Sequence, residues 1–172
     1  MWLWIAGVPV LLVVLLLGVG MALPASHTAS MTLDVAAPRE RVWALIADVT
    51  HTNQWRPDIT AITDVSSSPV RWTEVSSFGK TPFTLVEATA PSHQVTRVID
   101  DGLPFGGTWT WRLDAQGTGT RVTITEAGVI RSAFFRIMSR IAFPPTKTMD
   151  GYLRALAAAL GERAVPVIVR AR

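Results

Sequence analysis

The amino-acid sequence predicts an α+β domain in which a curved antiparallel sheet of about seven strands wraps one long C-terminal helix. Three observations carry this. Between residues 59 and 127, six short segments alternate apolar and polar side chains and are separated by turn-forming residues, the pattern of half-buried strands in an antiparallel sheet. After Ser132 the apolar residues recur at spacings of three and four, which is helical. One strand and one short helix precede the run.

The charges divide the chain before any strand is assigned. Of 172 residues, 49% are hydrophobic, and all 29 Asp, Glu, Lys and Arg side chains lie at or beyond Asp34. Residues 2–23 are an uncharged, largely apolar stretch. As a helix it would be about 33 Å long, enough for a hydrocarbon layer of about 30 Å. Trp2 and Trp4 would sit at the headgroup level. A secretory signal is the alternative: Gly20-Met21-Ala22 offers a small-residue cleavage site, but the run has no basic flank and outlasts the usual core of about 7 to 15 residues. Residues 1–23 are therefore assigned as a transmembrane anchor, 24–29 as a linker, 30–161 as the domain and 162–172 as a tail. Arg39 and Arg41 follow the apolar stretch while its other flank has no basic residue, so the positive-inside bias favours a single-pass protein with its domain on the cytoplasmic side.

Composition removes several function classes. With no cysteine, disulfide scaffolds, zinc-thiolate sites and thiol nucleophiles are excluded. The net charge is only +3, and 14 Arg and 2 Lys are scattered among 13 acids without a basic block, so no nucleic-acid partner is expected.

In order along the domain, Met31, Leu33 and Val35 alternate as a first strand over 30–36. Pro38 in a first turn, Glu40 behind it, and the stripe Val42, Trp43, Leu45 and Ile46 predict a helix. Residues 48–58, with Asn53, Trp55 and Pro57, read as a short helix and loop. Strands follow at 59–66, 70–76, 82–89, 93–100, 105–114 and 118–127. The breaks are Ser66-Ser67-Ser68-Pro69, Phe78-Gly79-Lys80, Ala90-Pro91-Ser92, Asp101-Gly102-Leu103-Pro104 and Gly117-Thr118-Gly119. The last helix carries Phe134, Met138, Ile141, Met149, Tyr152, Leu156 and Leu160 on one side, kinks or breaks at Phe143-Pro144-Pro145, and ends at Gly161. Arg136, Arg140, Lys147 and Arg154 share the opposite face, a solvated surface or a contact for anionic lipid.

Strict period-two alternation assigns each strand an apolar face: Val70, Trp72 and Glu74; Phe83, Leu85 and Glu87; Val95, Arg97 and Ile99; Trp109, Trp111 and Leu113; Val122, Ile124 and Glu126. Four faces thus hold an ionisable group. A hairpin centred on residue 92 would pair Glu87 with Arg97, and the 115–120 reversal would set Trp109 opposite Glu126 and Trp111 opposite Ile124. Charges on buried faces are costly unless paired or hydrated, so a partly polar ligand cavity is one explanation. A structural ion pair and carboxylates reaching solvent are the other.

Known catalytic templates are absent: no phosphate-binding glycine loop, no His-Glu-x-x-His helix, no nucleophile elbow and no dinucleotide fingerprint. His27 is placed in the linker and His93 in a turn, so only His51, beside Trp55, is a candidate pocket histidine. No catalytic residue is assigned, and no metal or cofactor is expected. Two carboxylates sharing a cavity, Glu74 and Glu87, could exchange protons with a substrate.

The segments Ala37-Pro38-Arg39-Glu40-Arg41-Val42-Trp43, Gln54-Trp55-Arg56-Pro57-Asp58, Arg71-Trp72-Thr73-Glu74-Val75, Gly106-Gly107-Thr108-Trp109-Thr110-Trp111, Gly119-Thr120-Arg121-Val122-Thr123-Ile124-Thr125-Glu126 and Tyr152-Leu153-Arg154-Ala155-Leu156 resemble the SRPBCC superfamily. This is the START-type, birch-pollen-allergen-like helix-grip fold, here in its bacterial polyketide cyclase/dehydrase and lipid-transport branch. The resemblance spans residues 30–161. It implies a seven-stranded sheet gripping the last helix around a cavity for lipids, quinones, polyketides or similar apolar molecules, and no family catalytic set maps onto this chain. The expectation is a membrane-tethered domain that binds or carries a hydrophobic small molecule. Trp72, Leu85, Trp109, Trp111, Met138 and Ile141 would form its apolar lining, and Glu74, Glu87, Arg97 and Glu126 its polar contacts. A cyclase or dehydratase, or a regulatory interaction module with a protein partner left open, are the alternatives.

Overall fold

The computed structural model describes residues 15–99, 102–141 and 144–169. The chain opens with helical residues 15–22 (α1), followed by β1 (Ser26–Val35), α2 (Arg39–Ala47), a 3-10 turn (Val49–Gln54), β2 (Ile59–Ser67), β3 (Val70–Ser76) and β4 (Gly79–Thr89). It continues through β5 (His93–Val98), β6 (Phe105–Gln116), β7 (Gly119–Ile130), α3 (Ala133–Ile141), α4 (Pro145–Ala159) and β8 (Val167–Ile168). The strands form one antiparallel sheet in the order β2-β3-β4-β5-β6-β7-β1-β8. The expected alternation of sheet and helix holds, with one expectation lying outside the described residues, two departures that have physical causes, and one expected break.

First, the expected membrane anchor falls mostly on residues 1–14, outside the described residues. Among the described residues no helix is long and apolar enough to cross a membrane. Second, β1 starts at Ser26, so most of the expected 24–29 linker is strand. Its polar residues Ser26, His27 and Thr28 pair with Val129, Gly128 and Ala127 of β7, and backbone pairing extends the strand beyond its apolar alternation. Third, the expected tail contributes β8, whose Val167 and Ile168 pair with Thr32 and Met31 on the free edge of β1. Fourth, the C-terminal helix is broken between α3 and α4, at the kink or break expected for Phe143-Pro144-Pro145. Pro144 is extended (φ −62°, ψ 142°) and Pro145 opens α4, because a proline ring removes a helical donor and restricts the residue before it.

The core lies between the inner sheet face and α4. Met31, Leu33 and Val35 of β1, Trp111 and Leu113 of β6, and Val122 and Ile124 of β7 meet Met149, Leu153 and Leu156 of α4, with Val42 and Ile46 of α2 closing one end. A Schellman arrangement stops α4: Gly161, at φ +82°, donates to the carbonyl of Ala158 and Glu162 to that of Ala157. The chain reversal delivers the Glu162 carboxylate to the backbone N–H groups of Ala36 and Ala37, at 2.8 and 3.0 Å. Thr120, buried on β7, donates to the Ala37 carbonyl at 2.8 Å. These bonds lock the helix end to the turn between β1 and α2.

Candidate functional site

Strand register decides which side chains look inward. Trp109 faces Glu126 and Trp111 faces Ile124 across β6 and β7, as period two requires when no residue is inserted. On β3, Trp72 and Glu74 share the inner face; the Trp72 indole N–H donates to Glu74 Oε1 at 3.4 Å and its ring stacks on Phe83, 5.6 Å between centroids.

The β4–β5 hairpin departs from the expectation. A register shift between Leu85 and Glu87 inserts one residue, so Leu85 faces Thr96 while Glu87 faces Val95 and Thr84 faces Arg97. An inserted residue reverses the parity of everything beyond it. Glu87 is consequently on the outer side, 61% exposed and 3.7 Å from His93, and makes no pair with Arg97. Arg97 is exposed on the outer surface, and the inward residues of β5 are the polar Gln94 and Thr96. Glu87 and Arg97 are thus removed from the inner face, and with Glu87 goes the idea of two carboxylates, Glu74 and Glu87, sharing one cavity.

Glu74 is held as well. Arg56, from the loop after the 3-10 turn, places Nη1 3.1 and 3.0 Å from its two carboxylate oxygens and Nη2 2.6 Å from Asp58. The guanidinium is buried and lies 5.2 Å from the ring centroid of Tyr152. Burial opposes its charge, but Glu74 and Asp58 outweigh that and hold Arg56 above its ordinary pKa. Tyr152, on α4, is the hub of the aromatic cluster, with ring centroids 5.3 Å from Trp55, 5.9 Å from Trp109 and 5.9 Å from Trp111. Burial raises the Tyr152 hydroxyl well above the usual phenol range, the nearby guanidinium acting the other way.

A second polar pair lies on the same inner face. His27 Nε2 is 3.0 Å from Glu126 Oε1, with the two side chains 26% and 18% exposed. The imidazole rests over Gly128, where an added Cβ would overlap the ring, and the facing residue on β6 is Gly107. A stretch of sheet without side chains therefore accommodates the histidine, and Trp109 stands beside Glu126. His27 was expected in a linker; the only sequence sign of its role is that it continues the inward parity of Met31, Leu33 and Val35. Arg56 and Tyr152 lay within resembling segments, but nothing in their spacing marked them as partners.

Two buried polar atoms have no hydrogen-bond partner at the centre of this face, Thr96 Oγ1 on β5 and Trp111 Nε1 on β6. The indole N–H is near the Tyr152 hydroxyl without making a full hydrogen bond. The rings of Trp55, Trp109 and Trp111 pack on Tyr152 of α4. Two open depressions of about 280 Å³ lie elsewhere, one lined by Leu45, Asp48, His51 and Trp55 beside α2, the other by Arg154, Ala157 and Glu162 at the end of α4. His51 therefore lines a surface cleft, with its Nδ1 2.8 Å from Asp48. Met138 is half-buried on α3, whereas Ile141 is 75% exposed and does not line the interior. Among the described residues no cluster of three or more His, Asp or Glu side chains could hold a metal.

A long antiparallel sheet closed on one face by a C-terminal helix, with an aromatic interior holding a few placed polar groups, defines a helix-grip protein. Residues 26–162 match the family described as polyketide cyclase/dehydrase and lipid transport, and the chain belongs to that family. Its fold is similar to a START superfamily protein from Mycobacterium smegmatis (TM-score 0.64, 15% identity, 78% of this chain and 97% of that one). It is also similar to norcoclaurine synthase from Thalictrum flavum (0.63, 12%, 80% and 88%). A third similar structure is the di-domain ARO/CYC StfQ of the steffimycin biosynthetic pathway (0.62, 13%, 78% and 50%), about half of which the chain spans. No curated protein matches the sequence.

Proposed function

We propose that this protein binds a hydrophobic small molecule, lipid, quinone or polyketide-like, between the inner face of β5, β6 and β7 and the helix α3, and carries it without chemical change. The observation that carries the reading is the buried Thr96 hydroxyl, which has no hydrogen-bond partner and is set in an aromatic wall with the Trp111 indole N–H on the neighbouring strand. Buried donors of this kind normally find partners, and an apolar ligand with one or two oxygen atoms would supply them. Trp109, Trp72, Leu85 and Met138 would give apolar contact, and His27 with Glu126 would orient the polar end. Entry is favoured beneath α3, a helix that buries none of its residues. The apolar residues 2–23 would tether the domain to a bilayer, on the cytoplasmic side by the positive-inside bias, and hold that opening near a lipid source.

Native mass spectrometry of the full chain purified in mild detergent tests this. The expected result is an adduct of a few hundred daltons that organic extraction removes, after which the protein takes up N-phenyl-1-naphthylamine with quenching of tryptophan emission. A protein that carries no adduct and takes up no probe overturns the reading.

The His27–Glu126 pair supports a second reading, a cyclase-type enzyme. An imidazole oriented by a carboxylate is suited to take an acidic proton from the carbon between two ketones, the step that starts an aldol closure of a polyketide-like chain. It replaces the Glu74 and Glu87 pair as acid-base candidate, because Glu74 is engaged by Arg56 and Glu87 faces outward. Cyclisation of a linear poly-β-ketothioester mimic should be lost in both His27→Asn and Glu126→Gln if this holds; equal turnover in the variants and the parent removes it.

A further inference from the structure

We infer that α3, together with the end of α1, is a surface that docks on an anionic lipid bilayer. The argument begins with the way α3 is turned. Along Ala133–Ile141, helical spacing puts Phe134, Phe135, Ile137, Met138 and Ile141 on one broad arc and Arg136, Ser139 and Arg140 on the other. In a water-facing helix the apolar arc would pack on the domain. Here Arg136 is drawn inward instead: its Nε donates to the Ile130 carbonyl at 2.8 Å and its Nη2 to that of Arg131 at 3.3 Å. Phe134, Phe135 and Ile141 are left outside, exposed by 56%, 45% and 75%.

The neighbouring chain has the same character. Gly20 of α1 sits against the backbone of Ala133 so closely that any side chain there would overlap it, and Arg136 Nη1 lies 3.5 and 3.4 Å from the carbonyls of Met21 and Leu23. Leu15, Leu16, Leu17, Val19 and Met21, just before this contact, are all exposed. Two helices that meet at their ends thus present apolar side chains outward, a patch of the kind that marks an interaction site rather than a solvated surface.

Charge and chain continuity choose the occupant. No acidic residue occurs between Ala127 and Met149, while Arg131, Arg136, Arg140 and Lys147 do; Arg140, next to the apolar arc on α3, and Lys147, in the first turn of α4, are both exposed. An apolar stripe flanked by cations and free of acids is the composition of a helix lying in the headgroup region of anionic lipid. The chain that enters this patch is the uncharged run 2–23, which brings the patch to the same surface that the run itself favours. This inference concerns the outer side of α3 and does not depend on what, if anything, binds within the domain.

The absence of native cysteine makes the test direct. Single cysteines at Phe135 and Ile141, and a control at Lys80 near the start of β4, would carry an NBD label on the full chain reconstituted into vesicles of phosphatidylethanolamine and phosphatidylglycerol. The expected result is a shift of emission to shorter wavelength at 135 and 141, with strong quenching by doxyl-labelled lipid and none at 80. Replacing phosphatidylglycerol by phosphatidylcholine, or Arg140→Gln, should reduce the quenching. Vesicle-associated protein whose labels at 135 and 141 stay in water overturns the inference, because the run 2–23 alone then accounts for association. A shift that occurs without vesicles and grows with protein concentration also overturns it, assigning the face to a second copy. Either failure leaves the ligand adduct, read by mass, as a separate result.

Discussion

Individual side chains on the inner face differ sharply in what their removal should cost. Arg56 is buried and shares its charge between Glu74 and Asp58. Glu74→Gln leaves a buried guanidinium half paired and should destabilise the fold by about 3 kcal/mol, measured as a lower midpoint in urea. Glu87→Gln, on the outer side of the same sheet, should change stability by no more than about 0.5 kcal/mol. The alternation of the sequence treats these two glutamates as equivalent, and the register shift in β4 separates them. Tyr152 has a pH signature of its own. Burial raises its folded pKa above the ordinary value of about 10, so the unfolded chain loses this proton first as pH rises. Its contribution is complete below pH about 10 and is lost progressively above that. Tyr152→Phe should flatten the fall in urea stability between pH 9 and 11 while leaving the profile near neutrality unchanged in shape.

Among the secondary-structure segments, α4 is the best anchored. Its end is set by Gly161 in the left-handed region, where a β-branched side chain meets the following carbonyl. Gly161→Val should cost about 1 to 2 kcal/mol, and because Glu162 would also leave Ala36 and Ala37, the loss should appear as faster hydrogen exchange at those two amides. α3 is the contrasting case: nine residues, none buried, held mainly by the Arg136 contacts. It follows that changes to its apolar residues should alter interactions far more than thermal stability. β1 gains four residues over its apolar alternation because β7 extends alongside it, and that extension is what brings His27 to Glu126.

Taken as one body, the sheet is open at both ends. One edge is β2 and the other would be β1 were it not for β8, only two residues long, whose contact is continued by a hydrogen bond from Val169 to the Ser30 carbonyl. An uncovered strand edge is a template for pairing with another chain. Removal of residues 167–172 should leave the thermal midpoint nearly unchanged and produce concentration-dependent association by light scattering. Retention of the parent's association behaviour would show that β8 has no protective role.

What could be read from the amino acids alone was whatever repeats locally. The α+β class, the order of strands and helices, the break before Pro145, and the inward faces of β3, β6 and β7 all follow from short-range alternation, proline geometry and turn residues, and the SRPBCC resemblance rested on those same segments. Most of the failures depend on partners distant in the chain. A one-residue shift between Leu85 and Glu87 turned Glu87 and Arg97 outward and Thr96 inward, and no pattern within β4 announces it. His27 became a site residue because Gly128, 101 positions later, leaves room for its ring. Arg56 found Glu74 across a loop, and Ile141 faced outward because Arg136 took the inward position on α3. Local periodicity determines which residues can share a face, whereas long-range pairing and packing determine which face is the inside.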